Sequence, residues 1–270
     1  QAYDLPHEWL SGEEVNARFP AWRLPGDWEA CLDPTAGFLL IEPALRAMAD
    51  EMRAHGGELR ERARVTSWEA GEAGVRVSTD AGRYEAERLV VTAGAWAGKL
   101  LSDLGLPLEV RRKPVLWFAV DDQRAFAPDV FPVFIAETAD DEVYGLPAYG
   151  DDSVKIGIHS GGEAVDPDTM DRTVSATDLT PGLLAFIDAY LPGVRPRLTA
   201  SDVCMYTVTP DEDFIIDRHP DHPNVVLAAG FSGHGFKFAP VVGEHLAALA
   251  TDADARPRPE FALARFSAVR

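Results

Sequence analysis

One of the two cysteines in the chain, Cys204, lies in a run of strand-forming residues, SDVCMYTVTPDEDFIID, that ends at a proline and a cluster of acids. A cysteine that ionises to its thiolate is a nucleophile and a metal ligand. Free cysteine is also among the residue types most often buried as small apolar side chains. The stretch by itself leaves both interpretations open, a reactive thiol and a buried core residue.

A glycine-rich loop follows in LAAGFSGHGFKFAPVVGEHLAAL, between a predicted buried strand and a predicted helix. Gly230, Gly233 and Gly235 have the spacing G-x-x-G-x-G, whereas the dinucleotide fingerprint G-x-G-x-x-G occurs nowhere in the chain. Such glycines let backbone approach a ligand closely, and a helix start attracts negative charge. His234 and Lys237 make the loop a candidate anion site, with a tight structural turn as the alternative.

The composition narrows the class of protein. The chain has 270 residues, 46% of them hydrophobic and 26% charged, which is typical of a globular protein of one large domain or two interleaved ones. The sequence has no apolar run of membrane-spanning length and no signal-peptide pattern at its start, and two cysteines cannot build a disulfide framework. We therefore expect a cytoplasmic protein that does not bind membranes.

The charge and the histidines exclude two further kinds of site. A formal net charge of −19 argues against nucleic acid as a partner, because phosphate binding needs a basic surface. An anionic substrate would need a local positive pocket. None of the seven histidines has the spacing to cysteines or acids that resembles a zinc site, so no metal is expected.

Two styles of structure alternate along the chain. EPALRAMADEMRAHGG predicts an amphipathic helix, and ARVTSWEA, GVRVSTDAG and AERLVVTAGAW predict strands, the last with the continuous apolar pattern of a strand buried on both faces. From about residue 107 to 199 the strands KPVLWFAV, EVYGLPAY and SVKIGIHS alternate, and a helix in TPGLLAFIDAYLPG has Thr180 as its expected N-cap. The α/β parts therefore flank an antiparallel segment, which suggests two domains with the chain crossing between them.

The stretch CMYTVTPDEDFIID followed by AAGFSGHGFKF closely resembles the monomeric sarcosine oxidase and N-methyltryptophan oxidase family. These are flavoprotein amine oxidases of the D-amino-acid-oxidase-like fold. TAGAWAGKLL and VYGLPAYGDDSVKIGIH extend the resemblance more weakly over nearly the whole chain. It implies an α/β plus α+β fold: an FAD-binding domain at 31–105 and 210–270, interleaved with an antiparallel-sheet substrate domain at 1–30 and 106–209.

The resemblance also implies an activity. A member of this family oxidises the secondary amine of an N-methyl amino acid such as sarcosine to an imine, and molecular oxygen becomes hydrogen peroxide. Alternatives within the fold are oxidation of pipecolate, an N-alkylated tryptophan or a glycated amino acid, or transfer of electrons to another acceptor. An alternative of another class is an inactive fragment without flavin.

The cofactor residues follow from the same resemblance. The family cysteine at the position of Cys204 carries FAD as a thioether at the flavin 8α carbon, and Cys31 has no such counterpart. The other residues expected to bind the cofactor are Val65, Gly94, Trp96, Gly230, Gly233, Gly235 and Lys237.

Five residues correspond to the family's catalytic and substrate-binding side chains. Lys155 matches a lysine over the flavin whose charge promotes the reaction with oxygen, although its position in a strand would also suit a solvated lysine. His159 and the tyrosines Tyr144 and Tyr206 match residues of the substrate pocket, and the tyrosines would otherwise be half-buried strand aromatics. Lys237 matches the lysine that pairs with the substrate carboxylate, and with Lys155 and His159 it would supply the local positive pocket.

The resemblance begins beyond the family's N-terminal Rossmann unit, which carries G-x-G-x-x-G and an acid for the adenosine ribose. An arginine for the substrate carboxylate also belongs to that part. We therefore expect the fold of this chain to lack the Rossmann unit. Removal of the unit, a separate chain and a truncated gene are the alternatives. The intact protein is expected to be a monomer.

Overall fold

The computed structural model describes residues 5–269. The strands are β1 (Glu8–Ser11), β2 (Glu29–Leu32), β3 (Val65–Gly71), β4 (Gly74–Thr79), β5 (Gly82–Ala86), β6 (Leu89–Val91), β7 (Glu109–Val120), β8 (Phe134–Glu137), β9 (Glu142–Leu146), β10 (Ser153–Ile158), β11 (Glu163–Ala164), β12 (Val194–Val208), β13 (Ile215–Arg218) and β14 (Val225–Ala229). The α-helices are α1 (Gly12–Arg18), α2 (Ile41–Ala54), α3 (Ala97–Leu100), α4 (Pro181–Tyr190) and α5 (Ala239–Thr251).

The chain divides into two compact units, each built from separate stretches of sequence. Unit 1 comprises Gln1–Leu39, Lys113–Gly162 and Asp171–Cys204. Unit 2 comprises Leu40–Arg112, Glu163–Met170 and Met205–Arg270. Within the part of the chain that the structure describes, no helix is long and apolar enough to cross a membrane.

Unit 1 is built on an antiparallel sheet in which β10 lies between β7 and β9, β8 pairs with β9, and β12 pairs with β7. Val154 and Ile156 of β10 are fully buried in a core that includes Phe118 of β7 and Phe186 of α4. Because successive strand residues point to opposite faces, Lys155 lies on the face of β10 away from this core.

Helix α4 begins as the sequence predicts. Thr180 is its N-cap, and its hydroxyl accepts a hydrogen bond from the N–H of Leu183 at 3.2 Å. Pro181 occupies the first turn, where a missing N–H costs nothing. The helix then buries Leu183, Phe186 and Ile187 against the sheet.

Unit 2 is organised around β14, whose five residues are all buried. It pairs with β13 antiparallel and with β6 parallel. One face of this sheet, with Val226 and Ala228, packs with Leu246 and Leu249 of α5. The other face, with Val225 and Leu227, packs against a second core that includes Val75 of β4. The predicted strand, glycine-rich loop and helix are confirmed.

One expectation about unit 2 needs correction. The run LVVTAGAW is not a strand buried on both faces: only Leu89–Val91 pairs with β14, Val90 is 41% exposed, and the chain then turns at Gly94, whose φ of +54° favours glycine. Strand β5 was not predicted, because GRYEA lacks an apolar alternation; it is fully exposed and is held by pairing with β4. Helix α2 forms as predicted; none of its residues is buried, and Leu45 on its apolar stripe is 51% exposed.

Candidate functional site

Lys155 is the cation at the centre of the candidate site in unit 1. It lies half-buried in β10, directly opposite Trp117 of β7 and Leu146 of β9. Its Nζ atom lies 5.5 Å from the centre of the Trp117 ring and 5.7 Å from that of Tyr144. Burial lowers the pKa of Lys155 below the usual lysine value, and the negative charge of an ionised Cys204 opposes this shift. Lys155 is therefore not the solvated strand lysine that its spacing alone would suggest.

Tyr144 and His159 extend the same region of unit 1. Tyr144 lies opposite Gly157, and a Cβ atom at Gly157 would meet the Tyr144 hydroxyl at 2.9 Å. The absence of a side chain at Gly157 therefore makes room for the phenol ring. His159 follows β10, its N–H donates to the carbonyl of Glu142, and its own carbonyl accepts a hydrogen bond from Lys113 at 2.7 Å.

Cys204 is exposed, which argues against its interpretation as a buried core residue. It lies in β12, which pairs with β7. When it is ionised, its negative charge raises the pKa of Lys155 in β10. Cys31 in β2 is also exposed, opposite Trp9 of β1. An exposed thiol is accessible to an electron-poor partner, and a cation in the same sheet favours its thiolate form.

The glycine-rich loop of unit 2 packs closely against the end of β12. Gly230 and Gly233 adopt φ values of +67° and +84°, which favour glycine. A Cβ atom at Gly230 would collide with the side chain of Thr209, and one at Gly233 with the ring of Tyr206. The structural role of these two glycines is therefore clear: they allow a tight turn packed against the end of β12.

Lys237 is exposed at the end of the same loop. Its ammonium donates to the carbonyl of His234 at 3.1 Å and lies 5.1 Å from the centre of the Phe238 ring. The His234 ring in turn packs against Phe214. The fold thus places a cation directly before α5, and its role towards a substrate carboxylate stays a prediction.

The other expected cofactor residues lie elsewhere in unit 2. Val65 is the first residue of β3 and is 38% exposed. The Trp96 indole donates to a carboxylate oxygen of Asp168 at 2.8 Å. Lys99 binds both Asp166 and Asp168, and these hydrogen bonds lower the pKa of each carboxyl group and raise that of Lys99. Sequence analysis missed this ion cluster because its members lie far apart in the chain.

The predicted residues thus fall into two groups. In unit 1, Lys155 and Tyr144 lie close together on the paired strands β10 and β9, Cys204 lies in β12 of the same sheet, and His159 follows β10. Unit 2 packs Tyr206 against the loop that carries Lys237. Trp117 was not predicted, because only the pairing register of β7 and β10 shows that it lies opposite Lys155.

The residues of unit 1 fit a flavin better than they fit a metal. An accessible thiol in the same sheet as a cation suits covalent attachment to an electron-poor ring, and the cation suits a cofactor that gains negative charge on reduction. Among residues 5–269, no group of three or more histidine, cysteine or acidic side chains could hold a metal ion.

Comparisons with known proteins identify the family of the chain. Residues 1–249 match the family described as FAD dependent oxidoreductase, DAO. The chain is 40% identical over 252 residues to a monomeric sarcosine oxidase of Bacillus sp. (strain NS-129), covering 92% of this chain and 65% of that protein. It is 36% identical to an N-methyl-L-tryptophan oxidase of Yersinia pestis (strain Pestoides F), covering 98% of this chain and 71% of that protein.

A solved structure shows the same fold. The L-proline dehydrogenase from P. horikoshii superposes on this chain with a TM-score of 0.83 at 23% sequence identity. The match covers all of this chain and 71% of the dehydrogenase chain. The chain therefore belongs to the DAO family of FAD dependent oxidoreductases and has its FAD-binding fold, with mixed helices and antiparallel sheets. It spans 65% of the length of the Bacillus relative that it matches.

Proposed function

We propose that the chain is part of an FAD-dependent amine oxidase that converts the secondary amine of an N-methyl amino acid such as sarcosine to an imine and reduces oxygen to hydrogen peroxide. The observation that carries this proposal is the half-buried Lys155 ammonium with two aromatic neighbours, in the same sheet as an exposed Cys204. The identity to the Bacillus sarcosine oxidase supports the choice of substrate class.

The cofactor would supply the redox chemistry, taking a hydride equivalent from the carbon next to nitrogen and passing electrons to oxygen. Cys204 would hold it covalently through sulfur. The side chains of unit 2 expected to contact it are Val65, Gly94, Trp96, Gly230, Gly233, Gly235 and Lys237. In this proposal the stretches 31–105 and 210–270 form the FAD-binding domain, and the stretches 1–30 and 106–209 form the substrate domain.

The chain's own residues would bind and orient the reactants. Lys237 would pair with the substrate carboxylate, and His159, Tyr144 and Tyr206 would line the pocket. The Lys155 ammonium would stabilise the negative charge that develops on oxygen, because a cation already in place needs no reorganisation as that charge forms. We propose a cytoplasmic monomer, and the relatives named as monomeric support the second point.

A second candidate is an oxidase of a bulkier amine. The 36% identity to the Yersinia N-methyl-L-tryptophan oxidase favours an N-alkylated tryptophan within this group, which also includes pipecolate and glycated amino acids. Lys155 argues against an acceptor other than oxygen. Comparison of peroxide formation with sarcosine and with N-methyltryptophan would rank these substrates.

The variant Lys155→Met tests the proposal. Loss of one fixed charge from the reacting centre should lower the oxygen-dependent rate roughly 100- to 1,000-fold. The rate with an artificial dye acceptor should change far less. Arg83→Met, at an exposed residue of β5, is the matched control. Equal oxygen-dependent rates for Lys155→Met and the control would contradict the role of Lys155, and a protein without flavin would contradict the proposed function itself.

A further inference from the structure

Lys155 is flanked by aromatic rings on both neighbouring strands. Trp117 is its direct cross-strand partner in β7, and Tyr144 lies diagonally across β9, opposite Gly157. Both ring centres lie within 6 Å of the ammonium, at 5.5 and 5.7 Å, the range in which a cation is attracted to the face of an aromatic ring.

Charged and titratable groups around Lys155 come from β12, β9 and β7. Among the described residues, no carboxylate lies within ion-pair distance of its ammonium. The charge of an ionised Cys204 in β12 raises the pKa of Lys155, and the Tyr144 ring faces the Lys155 ammonium from β9. On β7 the buried Lys113 is directed to the carbonyls of His159 and Ser160 beyond the end of β10.

We infer that Trp117 is a positioning residue for Lys155: with Tyr144 it holds the ammonium group charged, extended and available to an anion. A half-buried ammonium loses hydration, and a carboxylate partner would neutralise it. Aromatic faces stabilise the cation without cancelling its charge. This inference rests on the proposed function, in which that charge acts on reduced oxygen.

Two explanations of Trp117 make opposite predictions. If the ring only shields Lys155, its removal admits water, and the pKa of Lys155 rises towards the usual lysine value. If the ring stabilises the cation, its removal makes the ammonium easier to deprotonate. A cation–π contact of the usual strength, about 1 kcal/mol, corresponds to about a fivefold change in the acid dissociation constant.

The first experiment needs no cofactor. Trace labelling with acetic anhydride is followed at Lys155 by peptide mass spectrometry from neutral to strongly alkaline pH. The midpoint of the labelling curve gives the acid dissociation constant and is independent of how accessible the amine is. All variants are also made in a Cys204→Ser background, so that ionisation of the cysteine makes no contribution.

Trp117→Leu removes the ring and keeps an apolar side chain, and Trp117→Phe restores a ring. We expect the acid dissociation constant of Lys155 to rise about fivefold in Trp117→Leu and less than twofold in Trp117→Phe. Trp9→Leu, at an exposed tryptophan of β1, should leave it unchanged. A midpoint that stays in place or moves to higher pH in Trp117→Leu overturns the inference.

The second readout uses the flavin-loaded protein. In Trp117→Leu the alkaline fall of the oxygen-dependent rate should move to lower pH by the same factor, while the rate with a dye acceptor keeps its profile. If the labelling midpoint moves as expected but neither the wild type nor any variant reacts with oxygen, the inference about Trp117 is supported and the proposed function is wrong. If the protein is active but neither the midpoint nor the alkaline fall moves, the inference about Trp117 fails.

Discussion

At Lys155, burial and charge combine to give a pH dependence of stability. Since burial lowers its pKa below 10.5, the unfolded chain binds more protons here than the folded protein between the lowered value and 10.5. The free energy of unfolding should therefore rise with pH through that window, because the cost of burying the charge disappears. Lys155→Met should remove this rise.

Urea unfolding of the wild type and Lys155→Met at several pH values between 7 and 11 measures the effect. The difference between their free energies of unfolding should shrink as the pH increases. Arg83→Met, at an exposed residue, should follow the wild type throughout. If the difference in the free energy of unfolding stays constant from pH 7 to 11, burial of the Lys155 charge does not destabilise the folded protein.

Gly233 shows how a single residue can fix the glycine-rich loop. Its φ of +84° strains any other residue, and a Cβ atom there would collide with the Tyr206 ring. Gly233→Ala should lower the free energy of unfolding by roughly 1–3 kcal/mol. Gly243→Ala, in α5 with nothing close to the added atom, should be neutral or slightly stabilising. Equal stabilities of the two variants in urea would refute the account of the loop.

The sequence identifies several single residues, but not their neighbours. Cys204, Lys155 and Lys237 stand in stretches that resemble a known family, so they could be named in advance. Trp117 could not, because a shift of β7 by one residue would turn its side chain to the opposite face of the sheet. Such a register is a property of the folded sheet.

Among the elements, helix α4 has a side-chain N-cap, Thr180. The Thr180 hydroxyl accepts from the Leu183 N–H at 3.2 Å, which satisfies one of the free donors of the first turn. Thr180→Ala should cost about 1 kcal/mol of the free energy of unfolding. Thr169→Ala, at an exposed threonine, is the control and should cost less than 0.5 kcal/mol or so. If both variants unfold at the same urea concentration, the cap contributes nothing.

The segment Glu163–Met170 is attached to unit 2 by β11 and by Lys99. Hydrogen bonds from Lys99 lower the pKa of Asp166 and Asp168 below 3.8. Their contribution to stability is present above pH 3.8 and is lost as the pH falls through the lowered values. Lys99→Met removes it, so acid unfolding followed by circular dichroism should begin at a higher pH than in the wild type. An unchanged acid midpoint would mean that the cluster is fully screened by solvent.

Elements with strong local signals were predictable, and elements that depend on neighbours were not. The cap and apolar face identify α4, and the continuous run VVLAA identifies β14. Strand β5 exists through its pairing with β4, and β6 is shorter than its apolar run. Local sequence sets which conformation a segment prefers, whereas pairing decides where it starts and stops.

At the scale of the whole molecule, the chain carries a net charge of −19, and the proposed function needs cations at chosen places. Lys155 in unit 1 and Lys237 in unit 2 are such places. The alternation of α/β and antiparallel stretches predicts an interleaved architecture, and the structure places the first division after Leu39. That alternation alone does not identify the unit that binds the cofactor.

The proposed function depends most directly on whether Cys204 in β12 holds FAD covalently. The most direct test is to denature the purified protein in acid, separate pellet from supernatant, and record the visible spectrum and the intact mass of the protein. We predict that the yellow colour stays with the protein and that its mass increases by one FAD, whereas Cys204→Ser releases any flavin into the supernatant. A colourless wild-type protein at the mass of the bare chain would contradict the account.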